Sequence, residues 1–343
     1  MYQKLGLVQP LFSSILGLAR AGRVGIIRAE HHHPMKNLIY FAIVFLTFSV
    51  TAAVAAEKAG PDFQIQGEYT DKRVGVQVIA LGEGKFRAVI HKGGLPGAGW
   101  DKGKKIELNG VAADEGADFP KAKGWAAHIK GGTLRLTVPG ADARKLESIE
   151  RKSPTLGSKP PKGAVVLFDG TDAKQFKPGK ITKDGLLEQG ANSVRRFQSH
   201  RLHIEFRLPF QPKARGQGRG NSGCYLQGRY ELQMLDSFGL KGNHNECGGI
   251  YTIKNPDVNM CFPPLSWQTY DIDFTAAQFK DGKKIKDARM TVFHNGVKIH
   301  DNVKLPKRTT ASPLAEGPGP GFLHLQNHGN PVRYRNIWVL EVE

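Results

Sequence analysis

Short runs in which apolar and polar residues alternate dominate the chain from about residue 60 to its end. In His203–Leu208, Tyr230–Leu235 and Trp267–Phe274, the even-numbered side chains share one face and are mostly apolar. A period of two is typical of strands with one buried face. Turn signals such as Asn109-Gly110 and Asn295-Gly296 separate the runs. No segment has the period of an amphipathic helix, so we expect an all-β sandwich or jelly roll.

Composition divides the chain into four segments. We expect a signal peptide with a preceding extension in residues 1–56, a small all-β ancillary domain in 57–152, a linker in 153–162 and a jelly-roll domain in 163–343. The linker assignment depends on three prolines among small and basic residues. The N-terminal β domain shows no catalytic constellation, and its tryptophans, Trp100 and Trp125, are either buried or sugar-stacking platforms.

The N-terminal segment follows the order of a secretory signal. A short charged start at Met35–Asn37 precedes the apolar run Leu38–Val50, and Ala53–Ala55 offers a cleavage site. We therefore expect translation to begin at Met35 and the mature protein to be periplasmic or secreted. An uncleaved membrane anchor is the alternative. We expect contact with the membrane only through this signal segment.

The chain is strongly basic, with a formal net charge of +18 that falls to +14 without residues 1–56. The basic residues are spread along the chain, and an exported protein rarely meets nucleic acid, so we expect no nucleic-acid partner. Cys247 and Cys261 are the candidate disulfide, which leaves Cys224 buried and free. Three buried thiols are the alternative. The oligomeric state is not determined by the sequence.

One polar face lies along an otherwise apolar strand. Glu231 and Gln233 point to the face opposite Tyr230, Leu232 and Met234. A carboxylate and an amide on one face can bind a hydroxyl-rich ligand. Asp236 joins this face only if the strand contains a β-bulge, because a bulge shifts the alternation by one residue.

Eight motifs in order resemble the 3-keto-disaccharide hydrolase domain family over about residues 163–343. They are Val166–Gly170, Asn221–Gly223, Tyr230–Asp236, Gly249–Tyr251, Trp267-Gln268, His294–Gly296, Leu325–Gly329 and Arg335–Ile337. The resemblance implies a concanavalin-A-like jelly roll, related to glycoside hydrolase family sixteen, with a concave carbohydrate cleft. It also implies action on sugars already oxidised at carbon 3.

The family-sixteen motif places a nucleophile, a helper and an acid/base on one strand, and the positions here are Glu231, Gln233 and Asp236. Two of these three differ from the motif. A retaining glycosidase needs two carboxyl groups about 5–5.5 Å apart, and the shorter Asp236 retracts its carboxylate by about 1.5 Å. An ordinary double displacement is therefore not expected.

A ketosugar permits elimination, because a carbonyl at carbon 3 acidifies the hydrogen on carbon 2. We expect Glu231 to be the base and His328 the acid, with Asp236 as a further catalytic candidate. Arg335, His328 or a divalent metal would hold the enolate, and Asp236 with His328 could share calcium, manganese or zinc. Alternatively, Glu231 and Arg335 form a structural ion pair, and His328 braces a turn.

Further polar and aromatic residues are candidates for binding the carbohydrate. Asn221 and Gln233 suit sugar hydroxyls, Trp267 suits stacking on a ring, and Gln326 shares a strand face with His324 and His328. Asn221 could instead only shape the turn before its strand. Two other functions stay open: a non-catalytic, lectin-like binding module, and a conventional hydrolase of unoxidised glucans.

Overall fold

The computed structural model describes residues 59–342. The predicted signal segment and the predicted start at Met35 lie outside these residues. No helix within 59–342 is long and apolar enough to cross a membrane. The described chain is almost entirely β, which confirms the fold class expected from the alternating pattern.

The N-terminal part is a closed eight-stranded barrel, preceded by a one-turn helix, α1 (Pro61–Ile65). Its strands are β1 (Gly67–Thr70), β2 (Val74–Gly82), β3 (Lys85–Lys92), β4 (Ile106–Ala113), β5 (Gly116–Ala122), β6 (Trp125–Lys130), β7 (Thr133–Thr137) and β8 (Arg144–Ile149). Each strand pairs with its neighbours in sequence, and β1 pairs with β8, so the barrel has no free edge.

The predicted turn at Asn109-Gly110 is wrong, because β4 continues through it. A side chain on Gly110 would collide with the Phe119 ring of the neighbouring strand, so this glycine makes room for packing. Asn295-Gly296, in contrast, is the turn between two strands, and both residues have the positive φ angles of 50° and 77° that such a turn requires.

The C-terminal part consists of two packed antiparallel sheets and a short hairpin. The five-stranded sheet has the order β10 (Phe176–Lys177), β12 (Ala191–Phe197), β21 (Gly321–Leu325), β14 (Ser222–Leu226) and β15 (Tyr230–Met234). The seven-stranded sheet has the order β11 (Leu187–Glu188), β22 (Arg333–Glu341), β13 (His200–Arg207), β16 (Trp267–Thr275), β19 (Ala288–His294) and β20 (Val297–Leu305), and β9 (Val165–Phe168) pairs with β22. The hairpin is β17 (Gln278–Lys280) with β18 (Lys283–Lys286).

The core lies between the two sheets, and alternate residues of each strand fill it. On β15, Tyr230, Leu232 and Met234 are buried in this core, so Glu231 and Gln233 project from the outward face. On β13, Ile204 and Phe206 point inward in the same way.

The predicted linker is held against the outward face of the seven-stranded sheet. The Thr155 hydroxyl donates to Asp271 (2.6 Å), and the backbone N–H of Gly157 donates to Glu205 (2.6 Å). The carbonyl of Ser158 accepts hydrogen bonds from Asn336 and Trp338. These contacts order the proline-containing segment even though its composition is that of a flexible connection.

Candidate active site

A row of polar side chains crosses the outward face of the five-stranded sheet. Strand pairing places Glu231 opposite Tyr225, Tyr225 opposite His324, and His324 opposite Asn192. Lys177 pairs with Asn192 and ends the row. Neighbouring strands lie about 4.8 Å apart, so the Cα atoms of Glu231 and His324 are roughly 10 Å apart.

Glu231 leans over a glycine on the next strand. A methyl group on Gly223 would lie 2.9 Å from the carboxyl carbon of Glu231 and 3.0 Å from its Cγ. Real Cβ atoms do not approach other atoms this closely, so only glycine leaves space for the carboxylate. The Asn221-Ser222-Gly223 motif therefore has a direct geometric link to Glu231.

Glu231 is only 3% exposed. Burial raises its pKa to about 7, and a hydrogen bond from the Tyr225 hydroxyl offsets only part of this increase. Gln326 Nε2 donates to the same hydroxyl at 3.0 Å. Glu231, Tyr225 and Gln326 thus form a chain of hydrogen bonds on one sheet face, and the carboxyl group exchanges its proton near neutral pH.

His324 occupies the next strand of the row. Its Nδ1 lies 2.6 Å from Oδ1 of Asn192. Because Oδ1 accepts hydrogen bonds, Nδ1 carries the proton and Nε2 retains its lone pair. Burial lowers the pKa of His324, so the ring is neutral at pH 7. Its second nitrogen can accept a proton or a hydrogen bond.

Asn221 and Gln233, the predicted sugar-binding amides, are buried and bonded to a third amide. Gln217 Oε1 accepts from Gln233 Nε2 (2.9 Å) and from Asn221 Nδ2 (3.2 Å). Gln217 is half-buried, whereas the other two side chains are 1% exposed. Gln217 is therefore the most solvent-accessible amide of the three, and the sequence did not single it out.

The predicted bulge that would bring Asp236 onto the face of Glu231 is absent, and β15 ends at Met234. Asp236 is buried and paired with Arg219, at 2.7 Å between Nε and Oδ2. Burial raises the pKa of Asp236 more than Arg219 lowers it. Asp236 therefore does not lie beside Glu231 as a catalytic candidate. It forms a buried ion pair with Arg219 of the 208–221 segment.

His328 lies in the exposed loop after β21. It does not lie in the row that contains Glu231, because β21 ends at Leu325 and Gln326 already follows the strand. The structure therefore places His324, and not the predicted acid His328, in the row that contains Glu231. The alternation in the sequence placed His324 and His328 on one face. The strand ends at Leu325, so the alternation no longer applies at His328.

Trp267 and Arg335 belong to the other sheet. Arg335 Nε pairs with Glu205 at 2.6 Å, and its guanidinium lies 4.0 Å from the centre of the Trp267 ring. Both side chains are on the outward face of the seven-stranded sheet, separated from Glu231 by the core. The alternative Glu231–Arg335 ion pair is therefore wrong, and contacts of Trp267 and Arg335 with the substrate stay a prediction that their distance from Glu231 does not support.

The predicted Cys247–Cys261 disulfide is absent, and all three cysteines are free and buried. Cys247 Sγ lies 3.2 Å from the Tyr270 hydroxyl, and Cys261 Sγ donates to the Leu235 carbonyl at 3.5 Å. Cys224 is buried in the core, as expected from the sequence.

The proposed metal ligands do not fit a shared ion, because Asp236 already binds Arg219 and His328 lies on the exposed loop. Within residues 59–342, no three side chains of His, Cys, Asp or Glu converge on a point that could hold a metal.

Comparison with known proteins assigns the C-terminal sandwich to a carbohydrate-active class of domain. The sequence model of the 3-keto-α-glucoside-1,2-lyase-like domain matches residues 163–340. The chain belongs to this family, which confirms the resemblance in the sequence motifs. No match to a curated protein sequence was found.

Three crystal structures of putative glycosyl hydrolases from Parabacteroides distasonis are similar to the C-terminal half. One is 31% identical over 53% of this chain and 85% of its own, with a TM-score of 0.49. A second is 17% identical over 53% and 95%, with a TM-score of 0.38. A third is 19% identical over 52% and 99%, with a TM-score of 0.37.

Proposed function

We propose that the sandwich domain cleaves 3-keto-glycosides by elimination followed by hydration, with Glu231 as the base. The observation that carries this proposal is the environment of Glu231: a buried carboxyl whose pKa is raised to about 7, held by one tyrosine hydroxyl. A base of this pKa is suited to remove a proton near neutral pH. Membership of a 1,2-lyase-like family supports the same reaction class.

In the first step, Glu231 takes the proton from carbon 2 of the keto sugar. The C–H electron pair forms an enolate with the carbonyl at carbon 3. The enolate then restores the carbonyl, forms the C1=C2 double bond and breaks the bond from carbon 1 to the glycosidic oxygen. The leaving oxygen takes up a proton, and water afterwards adds across the double bond to give the free 3-keto sugar.

Tyr225 and Gln326 are suited to stabilise the enolate. Before reaction, the Tyr225 hydroxyl donates to Glu231 and accepts from Gln326. Once Glu231 has accepted the proton from carbon 2, it is a weaker acceptor, and the tyrosine hydroxyl can turn to the enolate oxygen. Donors placed where negative charge develops are a main source of rate enhancement.

His324 is suited to act as a base in the hydration step, whereas the sequence suggested His328 as the acid of the elimination step. Its Nε2 has a free lone pair because Nδ1 donates to Asn192. A neutral imidazole in this position can take a proton from the water that adds after elimination. Protonated Glu231 can supply the proton for the leaving oxygen, so base and acid use one carboxyl group in turn.

A conventional glucan hydrolase is the weaker candidate, because it needs a second carboxyl group about 5–5.5 Å from the first. Asp236, the nearest candidate by sequence, is bonded to Arg219. A lectin-like role does not need a carboxyl group with a pKa near 7, although the fold itself permits it.

The test is turnover of a 3-keto-disaccharide in D2O, followed by NMR. We expect release of the aglycone, an unsaturated keto-sugar intermediate and deuterium at carbon 2 of the product. The unoxidised disaccharide should not react. Binding without product would favour the lectin, and cleavage of the unoxidised sugar without deuterium uptake would favour the conventional hydrolase.

Export to the periplasm or the medium belongs to the same proposal, because residues 35–56 have the order of a signal peptide. N-terminal sequencing of the protein from its producing cell should begin near residue 56 or 57. A mature protein that still contains residues 38–50 would instead support the membrane anchor.

A further inference from the structure

The segment that connects β13 to β14 rests on the barrel. The Arg219 guanidinium donates to the Ala80 carbonyl at 3.2 Å, and Arg215 Nη2 donates to the Leu81 carbonyl at 2.8 Å. Lys213 pairs with Glu83 at 2.9 Å. Phe210 packs edge-on against Phe63, with 5.2 Å between ring centres. Contacts along its length therefore fix the position of residues 210–219 relative to the barrel.

The same segment reaches the candidate active site through Gln217. Besides accepting from Gln233 and Asn221, Gln217 donates through Nε2 to the Asn245 carbonyl at 2.8 Å. One side chain thus connects β15, the start of β14 and the 239–249 loop. Its hydrogen-bonding partners lie at the edge of the face that carries Glu231.

Gln217 is close to the proposed base in the sheet. Gln233 follows Glu231 by two residues on the same face, which separates their Cα atoms by about 6.8 Å. The residues 248–251 run beside β15, and the Tyr251 N–H donates to the Glu231 carbonyl at 3.1 Å. Gln217 therefore braces both Gln233 and the loop that flanks Glu231.

We propose that Gln217 is a positioning residue, through which the barrel-bound segment 208–221 sets the geometry around Glu231. This gives the N-terminal barrel a role that no motif in its sequence suggests: it supports the rim of the site on the neighbouring sandwich. The catalytic part of this inference rests on the proposed function, and the geometric part does not.

Two variants of Gln217 separate positioning from simple packing. Gln217→Ala removes all three hydrogen bonds, and we expect kcat/KM to fall about tenfold, because misplacing a reacting group costs rate steeply. Gln217→Glu keeps the acceptor but adds a negative charge near Glu231. The added charge should raise the pKa of Glu231 and so move the acid limb of the pH–rate profile to higher pH by about half to one pH unit.

The titratable groups near Glu231 in the described structure are Tyr225, which donates to it from β14, Cys224 on the core side of the same strand, and Tyr251 of the flanking loop. Tyr225 and Cys224 are neutral at pH 7, because burial raises the pKa of both groups well above the ordinary values. A new carboxylate at position 217 should therefore be a clear perturbation of the Glu231 titration.

The matched control is Gln198→Ala. Gln198 also accepts from one glutamine and donates to one carbonyl, but it lies at the other end of the sheet, beside Phe197 and Pro318. Its variant should keep kcat/KM within about twofold of the wild type. Arg215→Ala, which removes one contact with the barrel, should lower kcat/KM in the direction of Gln217→Ala, by a smaller factor.

NMR titration of the carboxyl carbons in 13C-glutamate-labelled protein needs no turnover, and Glu231→Gln assigns the signal. An upward shift of the Glu231 titration in Gln217→Glu supports the proposal even if the wild type cleaves no ketosugar. An unchanged titration would overturn it. Equal loss of activity in Gln217→Ala and Gln198→Ala, in proportion to lost thermal stability, would also overturn it.

Discussion

Two buried glutamates, one on the outward face of each sheet, occupy similar positions but differ in their partners. Glu205 is 1% exposed and Glu231 is 3% exposed. Burial alone raises the pKa of Glu205, but hydrogen bonds from His203 and Asn336, the charge of Arg335 and the Gly157 N–H together lower it to about 2. Burial raises the pKa of Glu231 to about 7, because the hydrogen bond from Tyr225 offsets only part of the effect.

The partners of each carboxyl group, and not its burial, separate the one that stays ionised from the one that exchanges a proton near neutral pH. Glu205 fixes the linker and Arg335 to the seven-stranded sheet and remains ionised. Glu231 has no Lys or Arg partner in the described part of the chain, so its carboxyl group can exchange a proton near neutrality.

The sharpest test replaces each glutamate with glutamine. Glu231→Gln should lower kcat/KM by about 10²–10⁴-fold with an unchanged fold, because the base is lost. Glu205→Gln should instead destabilise the protein by about 3 kcal/mol, because Arg335 loses its buried partner. Kinetics and thermal unfolding of both variants measure the contrast, and equal effects on activity would contradict it.

Stability should respond to pH in opposite ways at the two sites. The folded pKa of Glu205 is depressed, so its stabilisation is present above the unfolded value near pH 4.5 and is lost as pH falls toward 2. The folded pKa of Glu231 is raised, so its ionisation costs stability as pH rises from about 4.5 to 7. Urea unfolding between pH 3 and 8 should show both trends, each removed by the corresponding glutamine variant.

Gly223→Ala should displace the Glu231 carboxylate without touching Glu205. We expect kcat/KM to fall about 10- to 100-fold, because the new methyl group occupies the space of the carboxyl group. The free energy of unfolding should change by about 1–3 kcal/mol, the usual cost of overpacking. Gly223→Ser should lower kcat/KM at least as much. An unchanged kcat/KM in Gly223→Ala would mean that the position of the Glu231 carboxylate is not critical.

Tyr225→Phe should move the acid limb of the pH–rate profile to higher pH and lower the rate about tenfold. The tyrosine hydroxyl lowers the pKa of Glu231, so its removal leaves burial unopposed. The pH dependence of kcat/KM measures this effect. A limb that stays in place would assign the ionisation to another group.

Trp267→Ala should have the smallest effect on catalysis. Trp267 contacts Arg335 on the face opposite the site, so KM should remain within about twofold of the wild type. An increase in KM of tenfold or more would show that substrate reaches the seven-stranded sheet.

Alternation in the sequence correctly predicted that Glu231 and Gln233 share one face of their strand. The same rule, applied to residues 322–328, carried the alternation past the end of β21 at Leu325 and so placed His328 on the sheet beside His324. Tyr225 could have been found by the same alternation from Gly223, since both project outward from β14.

The alternation of apolar and polar residues does not predict which strands pair in the same sheet. Trp267 and Arg335 belong to motifs that accompany Glu231 in sequence, yet their strands pair in the other sheet. The surroundings of Glu231 also combine Tyr225 of β14, Gln326 after β21 and Tyr251, which come from separate parts of the sequence.

The sequence by itself determined the all-β class, the facing of residues within each strand and the family, because alternation and motif order are local properties of the chain. Only the tertiary structure decided which strands share a sheet, which glutamate is paired and where the barrel supports the site. These depend on long-range pairing and burial, which set the neighbours of each charge and hence its chemistry.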